Sequence, residues 1–309
     1  MNCCFPQGLR DMRVIGGNNL SGKLIRAVAA GATLRAFAAV TTDVVEEARR
    51  RHDCYPVAAA ALGRTLTGAL LLGATLKENE NLTLRIAGDG PLGGLIADTD
   101  GAGNVRGYVR NPQIHLPSKN GKLDVGGAVG QGYIYVTRDA GLKEPYTGSA
   151  PLVSGEIAAD ITHYLSASEQ TPATVALGVL VNPDCSVQAA GGFFVQVMPG
   201  VEEAVIEHLE ANLKKLPPVS ALVNAGGTAE DMLAGVFNGL TWQVLAEQKP
   251  RYYCRCSKER LARVFATLGR QELQEMIDEG RAEVRCHFCN EVYLFSKEEL
   301  AEIMAQATE

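Results

Sequence analysis

Four cysteines towards the end of this 309-residue chain constrain its fold more than any other feature. They form a Cys-x-Cys pair, Cys254 and Cys256, and after 29 intervening residues a Cys-x-x-Cys pair, Cys286 and Cys289. Cys-x-x-Cys is a common zinc half-site, and four thiolates complete a tetrahedral zinc shell with Zn–S distances of about 2.3 Å. The sequence therefore predicts one zinc ion bound by these four cysteines.

The segment around these cysteines, residues 251–309, is predicted to need its metal in order to fold. A core built from 59 residues is marginal without a staple. Structural zinc contributes about 10–16 kcal/mol at neutral pH.

Arg255, Lys258 and Arg285 adjoin the cysteines and are predicted to favour thiolates, the species that oxidants attack. Cysteines this close can also form disulfides, which would eject the zinc, but closed four-cysteine sites are mostly structural. Spacing alone therefore favours a permanent structural zinc site over a redox switch.

The nearby histidine and the remaining cysteines are not predicted to bind the metal. His287 lies inside the Cys-x-x-Cys loop, and four cysteines already satisfy tetrahedral zinc. Cys54 and Cys185 stand alone, and lone cysteines are usually inert packing, while Cys3 and Cys4 lie in an unusual leader. No function is assigned to these four cysteines.

The composition predicts a soluble, folded, cytoplasmic protein. Hydrophobic residues make up 46% of the chain and charged residues 21%, both close to globular averages. The net charge of −6 gives no basic footprint for nucleic acid or for an anionic membrane, so neither is expected as a partner. The N-terminal segment lacks the apolar run of a secretory signal. Residues 57–76 are the most apolar stretch, but Arg64 and several threonines interrupt it, which predicts a buried helix and no membrane span.

The pattern along residues 12–198 predicts an N-terminal α+β core domain with a mixed or antiparallel sheet. Helices are predicted at residues 20–30 and 43–52, with a strand at residues 33–40 between them. Several later strands follow one another without helices, which favours antiparallel pairing over a doubly wound sheet. These later strands are predicted at residues 82–87, 95–97, 105–109, 133–137, 175–181, 187–190 and 193–198.

Residues 199–250 are predicted to form a metastable helical linker, which leads to a small zinc-binding α+β module at residues 251–309. The first part of the linker carries valine and leucine at four-residue intervals, which is typical of an amphipathic helix. A second helix is predicted over residues 228–245. Gly235 and Gly239 lie inside it, and each costs about 1 kcal/mol relative to alanine. The segment should therefore be only marginally stable without its neighbours.

No enzyme active site is predicted. Residues 88–93 match the dinucleotide-binding fingerprint, but another strand follows where a helix is required, which favours a glycine-rich hairpin. His115 and His163 have no accompanying nucleophile and orienting carboxylate of the kind that marks a catalytic triad. The chain is therefore not expected to be an enzyme.

Blocks of sequence over nearly the whole chain are similar to one family of chaperones. These blocks are Leu62-Gly63-Arg64, the turn at residues 88–93, Arg106-Gly107-Tyr108-Val109 with Asn111-Pro112, Gly121-Lys122-Leu123-Asp124-Val125, Gly141-Leu142-Lys143-Glu144-Pro145-Tyr146, Leu152-Val153-Ser154-Gly155-Glu156, Ser168-Glu169-Gln170 and Ala189-Ala190-Gly191-Gly192-Phe193. With the cysteine pattern, they resemble the bacterial redox-regulated heat-shock holdases, also called the thirty-three-kilodalton chaperonin family. All four cysteine positions match the family signature.

The resemblance implies a cytoplasmic stress-response chaperone that is inactive while reduced and zinc-bound. Oxidation would form the disulfides Cys254–Cys256 and Cys286–Cys289 and release the zinc. The zinc module would then unfold together with the linker, residues 199–250. The active form implied is a homodimer that binds unfolding client proteins without ATP.

Two alternative functions stay open at the level of sequence. A zinc-ribbon nucleic-acid module would use the basic stretch at residues 251–263, with Tyr252 and Tyr253 available for stacking. A thiol oxidoreductase would use Cys286 and Cys289, a pair that should then follow a strand and open a helix.

Overall fold

The computed structural model describes residues 22–141 and 143–306, and the leader cysteines Cys3 and Cys4 lie outside these ranges. The chain divides into two compact units, with the division between Tyr252 and Tyr253. Both units contain helices and strands, so the predicted α+β class is confirmed. The finer division of the first unit into a core and a linker remains a prediction.

The first unit contains two sheets and seven helices among its described residues. In chain order its elements are β1 (Leu24–Ala29), β2 (Leu34–Val40), α1 (Thr42–His52), α2 (Pro56–Gly73), β3 (Asn81–Gly88), β4 (Leu95–Asp100), β5 (Asn104–Val109), α3 (Val125–Val129), β6 (Gly132–Asp139), β7 (Tyr146–Pro151), α4 (Ala158–Ala167), β8 (Ala173–Val181), β9 (Val187–Val197), α5 (Glu203–Lys215), α6 (Val219–Asn224), α7 (Ala229–Val236), β10 (Trp242–Gln248) and β11 (Arg251–Tyr252).

Strand pairing in both sheets is largely antiparallel. The five-stranded sheet has the order β10-β1-β2-β9-β8, and every neighbouring pair is antiparallel. The six-stranded sheet has the order β11-β5-β4-β3-β6-β7, in which β11 and β5 form the one parallel pair. Strands β3 and β4 form an antiparallel hairpin around residues 88–93. The glycine-rich fingerprint is therefore a turn between strands, as predicted.

Helix α2 lies at the centre of the larger hydrophobic core, where it packs against strands of both sheets. Its glycines allow neighbouring elements to approach closely. A Cβ atom on Gly63 would lie 2.5 Å from Cγ1 of Val45 in α1, and one on Gly68 would lie 2.6 Å from Cδ1 of Ile161 in α4. The helix is long and apolar enough to cross a membrane by length and composition alone, but 89% of it is buried inside the protein. The prediction of a buried core helix is confirmed.

The other face of the five-stranded sheet is covered by α5, α6 and α7, which all belong to residues 199–250. Helix α5 buries only Leu209 and Asn212 among its 13 residues, and α6 and α7 have 6 and 8 residues. Helices of these lengths are marginal in isolation, so packing against the sheet must stabilise them. The buried residues of this second cluster are Ile25, Ala27, Ala29, Leu34, Ala36, Ala38, Val40, Ala189, Phe193, Val195, Leu209, Val219, Val223, Ala229, Met232, Leu233, Val236 and Phe237.

Two predicted helices are strands, wholly or in part. Residues 24–29 form β1, which lies between β2 and β10, so hydrogen bonds to two neighbouring strands replace the expected helix. The helix predicted over residues 228–245 is wrong beyond Val236, where α7 ends. Gly239 has a φ of +81°, a conformation that a right-handed helix does not allow, and Trp242–Gln248 then pairs with β1. The predicted linker is therefore helical only in its first part.

Asn212 joins two helices of this segment and allows a test of its stability. Its side-chain nitrogen donates to the carbonyl oxygens of Val236, at 3.0 Å, and of Asn238, at 2.8 Å, and the residue is buried. Asn212→Ala leaves both carbonyls without this donor and is expected to destabilise residues 199–250 by about 1–3 kcal/mol. Hydrogen exchange of the α5 and α7 amides measures the loss. The exposed Asn224→Ala at the end of α6 serves as the matched control, and equal exchange in both variants would contradict the prediction.

Candidate metal centre

The second unit is a small α+β module with its own hydrophobic core. Its elements are α8 (Lys258–Phe265), α9 (Arg270–Asp278), β12 (Arg281–Arg285), β13 (Val292–Ser296) and α10 (Lys297–Gln306). The core consists of a few buried side chains, namely Phe265, Leu273, Ile277, Phe295, Leu300 and Ile303. A core of this size agrees with the expectation that the module needs an additional staple.

Cys254 and Cys256 lie immediately before α8. Ser257 caps this helix, because its hydroxyl oxygen accepts a hydrogen bond from the backbone nitrogen of Arg260 at 3.2 Å. This cap fixes the point at which the chain enters the helix, and therefore the direction of the preceding residue. The Cys-x-Cys pair thus lies on a short segment between β11 and α8, and its far end is held by a helix N-terminus.

Cys286 and Cys289 lie in the turn of the β12–β13 hairpin. The backbone nitrogen of Cys286 donates to the carbonyl oxygen of Glu291 at 2.9 Å, and that of Asn290 donates to the carbonyl oxygen of Cys286 at 2.7 Å. Asn290 has a φ of +59°, in the left-handed region that asparagine tolerates better than most residues. The turn therefore folds back on itself and presents both sulfurs on a tight loop.

The four sulfur atoms form one cluster. All four Sγ atoms lie within 4.8 Å of one another. The Cys254 and Cys286 sulfurs are 3.7 Å apart, and those of Cys256 and Cys289 are 3.3 Å apart. Thiolates in a tetrahedral zinc shell lie roughly 3.8 Å apart, so the cluster could hold a metal ion of this kind.

Burial and hydrogen bonding determine how readily these sulfurs ionise. Burial raises the pKa of the Cys256 and Cys289 thiols above the usual range, and Cys289 is only 2% exposed. The backbone amide of Glu291 hydrogen-bonds the Cys289 sulfur and opposes this effect. Neutral thiols in this environment become stable thiolates when a divalent cation balances their charge. The cluster is therefore suited to a bound cation.

The sequence did not indicate one residue of this site, Tyr293. Its hydroxyl donates a hydrogen bond to the Cys256 sulfur at 3.1 Å, and this bond is the main reason why the pKa of Tyr293 is raised. Tyr293 lies on β13, 37 residues from Cys256 in sequence. Spacing carries no signal for such a contact, and only the pairing of β12 with β13 and the position of α8 bring the two groups together.

The predicted basic neighbours have other partners in the structure. Lys258 forms an ion pair with Glu299 at 2.6 Å, and Arg285 donates to the side-chain oxygen of Asn290 at 3.2 Å. Their influence on the sulfurs is therefore shared with these groups. His287 is exposed, as predicted for a residue outside the ligand shell.

The donor set and its geometry fit zinc. Four sulfur atoms, arranged at tetrahedral spacing in a small module, match the soft ligand chemistry and the closed shell of structural zinc sites. The position of Cys286 and Cys289 between two strands does not match the strand-to-helix position expected of a thiol oxidoreductase motif. The fold and the site thus define a two-unit α+β protein whose smaller unit carries a cluster of four cysteines that could hold a metal ion.

Comparisons with known proteins identify the family. The family model described as Hsp33 protein matches residues 22–296. The 33 kDa chaperonin of Desulforamulus reducens is 52% identical over 288 residues, which cover 93% of this chain and 98% of the relative. The 33 kDa chaperonin of Symbiobacterium thermophilum is 54% identical over 91% of this chain and 96% of its own. The crystal structure of the 33 kDa chaperonin from Thermotoga maritima has a TM-score of 0.87 at 39% identity, and covers 93% of this chain and 99% of its own. The chain belongs to the Hsp33 family of chaperones.

Zinc binding to the metal-free protein is expected to release protons near pH 7. The raised thiol pKa values keep Cys256 and Cys289 protonated before the metal arrives, and coordination requires thiolates. The affinity for zinc should therefore fall as the pH is lowered. Calorimetry in two buffers of different ionisation enthalpy measures the protons released, and Cys289→Ser should release fewer. A heat of binding that is the same in both buffers would argue against thiol coordination.

Proposed function

We propose that this chain is a redox-regulated, ATP-independent holdase that binds unfolding proteins during oxidative stress in the cytoplasm. The family is one of chaperones, and enzymatic activity is not part of the proposal. The observation that carries the redox part is the cluster of four cysteine sulfurs within 4.8 Å of one another. In the reduced state Cys254, Cys256, Cys286 and Cys289 would hold one zinc ion, and the chaperone would be inactive.

Oxidation of the cluster would remove the ligands of the metal. Each disulfide needs two thiolates and one hydrogen peroxide: an S–S bond forms, the O–O bond breaks, and the two oxygens leave as hydroxide ions, which take up two protons from solvent to give two waters. A disulfide sulfur is a poor zinc ligand, so zinc would leave. Because the small core of the second unit depends on the metal, this unit would then unfold.

The disulfides proposed are Cys254–Cys256 and Cys286–Cys289. In the folded cluster, sulfurs of different pairs are also close: those of Cys254 and Cys286 are 3.7 Å apart, and those of Cys256 and Cys289 are 3.3 Å apart. Loop closure favours the partner closest in sequence, because the entropy cost of closing a loop rises with its length. The proposed pairing therefore rests on proximity in sequence, since all four sulfurs lie within 4.8 Å of one another and their distances select no pairing.

Residues 199–250 are proposed to provide the client-binding surface. Helices α5 to α7 cover an apolar sheet face, and a solvent-open pocket of about 680 Å³ lies between α5 and the ends of β8 and β9. Short helices that bury few residues favour local unfolding at low free-energy cost. Loss of the second unit would free one end of this segment, and its detachment would uncover apolar surface that binds unfolded clients. The proposed active form is a homodimer.

The remaining described cysteines, Cys54 and Cys185, are not part of the proposed switch. Both are buried, and burial raises the pKa of the Cys54 thiol to about 12. A thiol that stays protonated reacts slowly with peroxide. Among the described cysteines, the reactive sulfurs are thus proposed to be those of the cluster.

The central test compares two forms of the protein by light scattering of an aggregating, chemically unfolded client. The reduced zinc-loaded form should leave aggregation unchanged, whereas the peroxide-treated, zinc-released form should suppress it. A Cys286→Ser variant should no longer undergo this change on oxidation, while Cys54→Ala should behave like the wild type. Lack of suppression by either form would leave a structural zinc protein, and salt-dependent binding of single-stranded nucleic acid would favour the zinc-ribbon alternative.

Peptide mapping tests the proposed disulfides. After peroxide treatment and proteolysis between Cys256 and Cys286, the two cysteine pairs should separate into different peptides, each with an internal disulfide. Mass spectrometry without reduction distinguishes this result from cross-linked peptides. A cross-link between the two pairs would contradict the proposed pairing.

A further inference from the structure

The hydrogen bond from Tyr293 to Cys256 connects the sulfur cluster to the hydrophobic core of the second unit. The Tyr293 ring packs against that core, and its hydroxyl lies 3.1 Å from the Cys256 sulfur. Strand pairing opposite Val284 fixes the backbone position of Tyr293. Ring packing and strand pairing therefore together fix the position of the Tyr293 hydroxyl, which is the hydrogen-bond donor.

The same core fixes the position of the acceptor. Phe295 lies on the same face of β13 as Tyr293 and contacts Phe265 of α8 edge-on, with ring centroids 4.8 Å apart. Lys258, in the first turn of α8, lies over the Phe295 ring at 5.1 Å. Because Cys256 immediately precedes the cap of α8, these contacts hold its sulfur beside the Tyr293 hydroxyl.

A hydrogen bond to sulfur is strongest when the sulfur carries negative charge. An O–H donor at 3.1 Å therefore stabilises a zinc-bound sulfur and fixes its orientation towards the metal. The same bond engages an electron pair that the sulfur would use to attack an oxidant. In metal sites, partners of this kind orient the ligands and typically change metal affinity by about 10–100-fold.

We propose that Tyr293 is a positioning residue of the metal centre, whose hydroxyl holds Cys256 as a zinc ligand and slows its oxidation. This inference rests on the proposed zinc switch and adds a residue that determines how readily peroxide oxidises it. The step that Tyr293 slows is attack of the Cys256 thiolate on peroxide. In it an S–O bond forms, the O–O bond breaks, and hydroxide leaves and takes up a proton as water. The sulfenic acid then condenses with a second cysteine thiol, forming the S–S bond and releasing a second water.

The test removes the hydroxyl and keeps the ring. Tyr293→Phe should bind zinc about 10-fold more weakly, as measured by competition with a chromophoric chelator. It should also release zinc faster at a fixed peroxide concentration. Tyr253→Phe makes the same chemical change at a tyrosine that is 53% exposed, and it should match the wild type in both measurements. Circular dichroism of the zinc-loaded variants separates an effect on the metal from a loss of fold.

A second substitution covers the case in which Tyr293→Phe fails to fold. Replacing Tyr293 by 3-fluorotyrosine keeps the hydroxyl and makes it a stronger donor, so zinc release should become slower than in the wild type. Tight zinc binding by the wild type with unchanged release in both Tyr293 variants would overturn this inference and leave the zinc switch intact. A reduced wild-type protein that binds no zinc would overturn the proposed function and this inference together.

Discussion

The five-stranded sheet is apolar on both faces, and the rest of the first unit is organised around the need to cover them. One face packs against α2, the most buried helix, and the other packs against α5 to α7. The two covers differ in strength. Helix α2 is long, continuous and enclosed by both sheets, whereas the opposite cover consists of short helices that depend on the sheet for their own stability. The same sheet thus has one permanent cover and one that can be lost more easily.

The sulfur cluster solves a comparable problem in the second unit by a different means. Six buried side chains cannot supply the burial that a larger domain has, and in the proposed zinc-bound state the four cysteines would supply part of the stabilisation. Stabilisation by metal-bound thiolates depends on the charge and oxidation state of four sulfur atoms. Apolar burial has no such dependence. If zinc is bound as proposed, the unit that depends on the metal is also the unit whose stabilising groups an oxidant would modify.

The parts of the fold that the sequence predicted are those in which local pattern and burial agree. Helix α2 is mostly apolar, and the strands from β3 to β6 are short and bounded by glycine, so the local pattern identified both. Residues 24–29 were predicted to be helical because alternating apolar residues also satisfy a short helical pattern. They form a strand because they pair with β2 and with β10, which is distant in sequence. The four cysteines were predictable from spacing. Tyr293 was not, because its contact with Cys256 exists only after the hairpin and α8 have packed.

Strand β10 gives the covering segment a second role that side-chain burial does not describe. It forms the outer edge of the five-stranded sheet and supplies backbone hydrogen bonds along the whole length of β1. Departure of residues 199–250 would therefore leave β1 as an open edge, with a row of unpaired amide and carbonyl groups next to the uncovered apolar face. Such an edge accepts any extended chain through its backbone, irrespective of side-chain sequence. A surface of this kind would bind apolar side chains and would also pair with the backbone of an extended chain. Neither interaction requires a particular sequence in the bound chain.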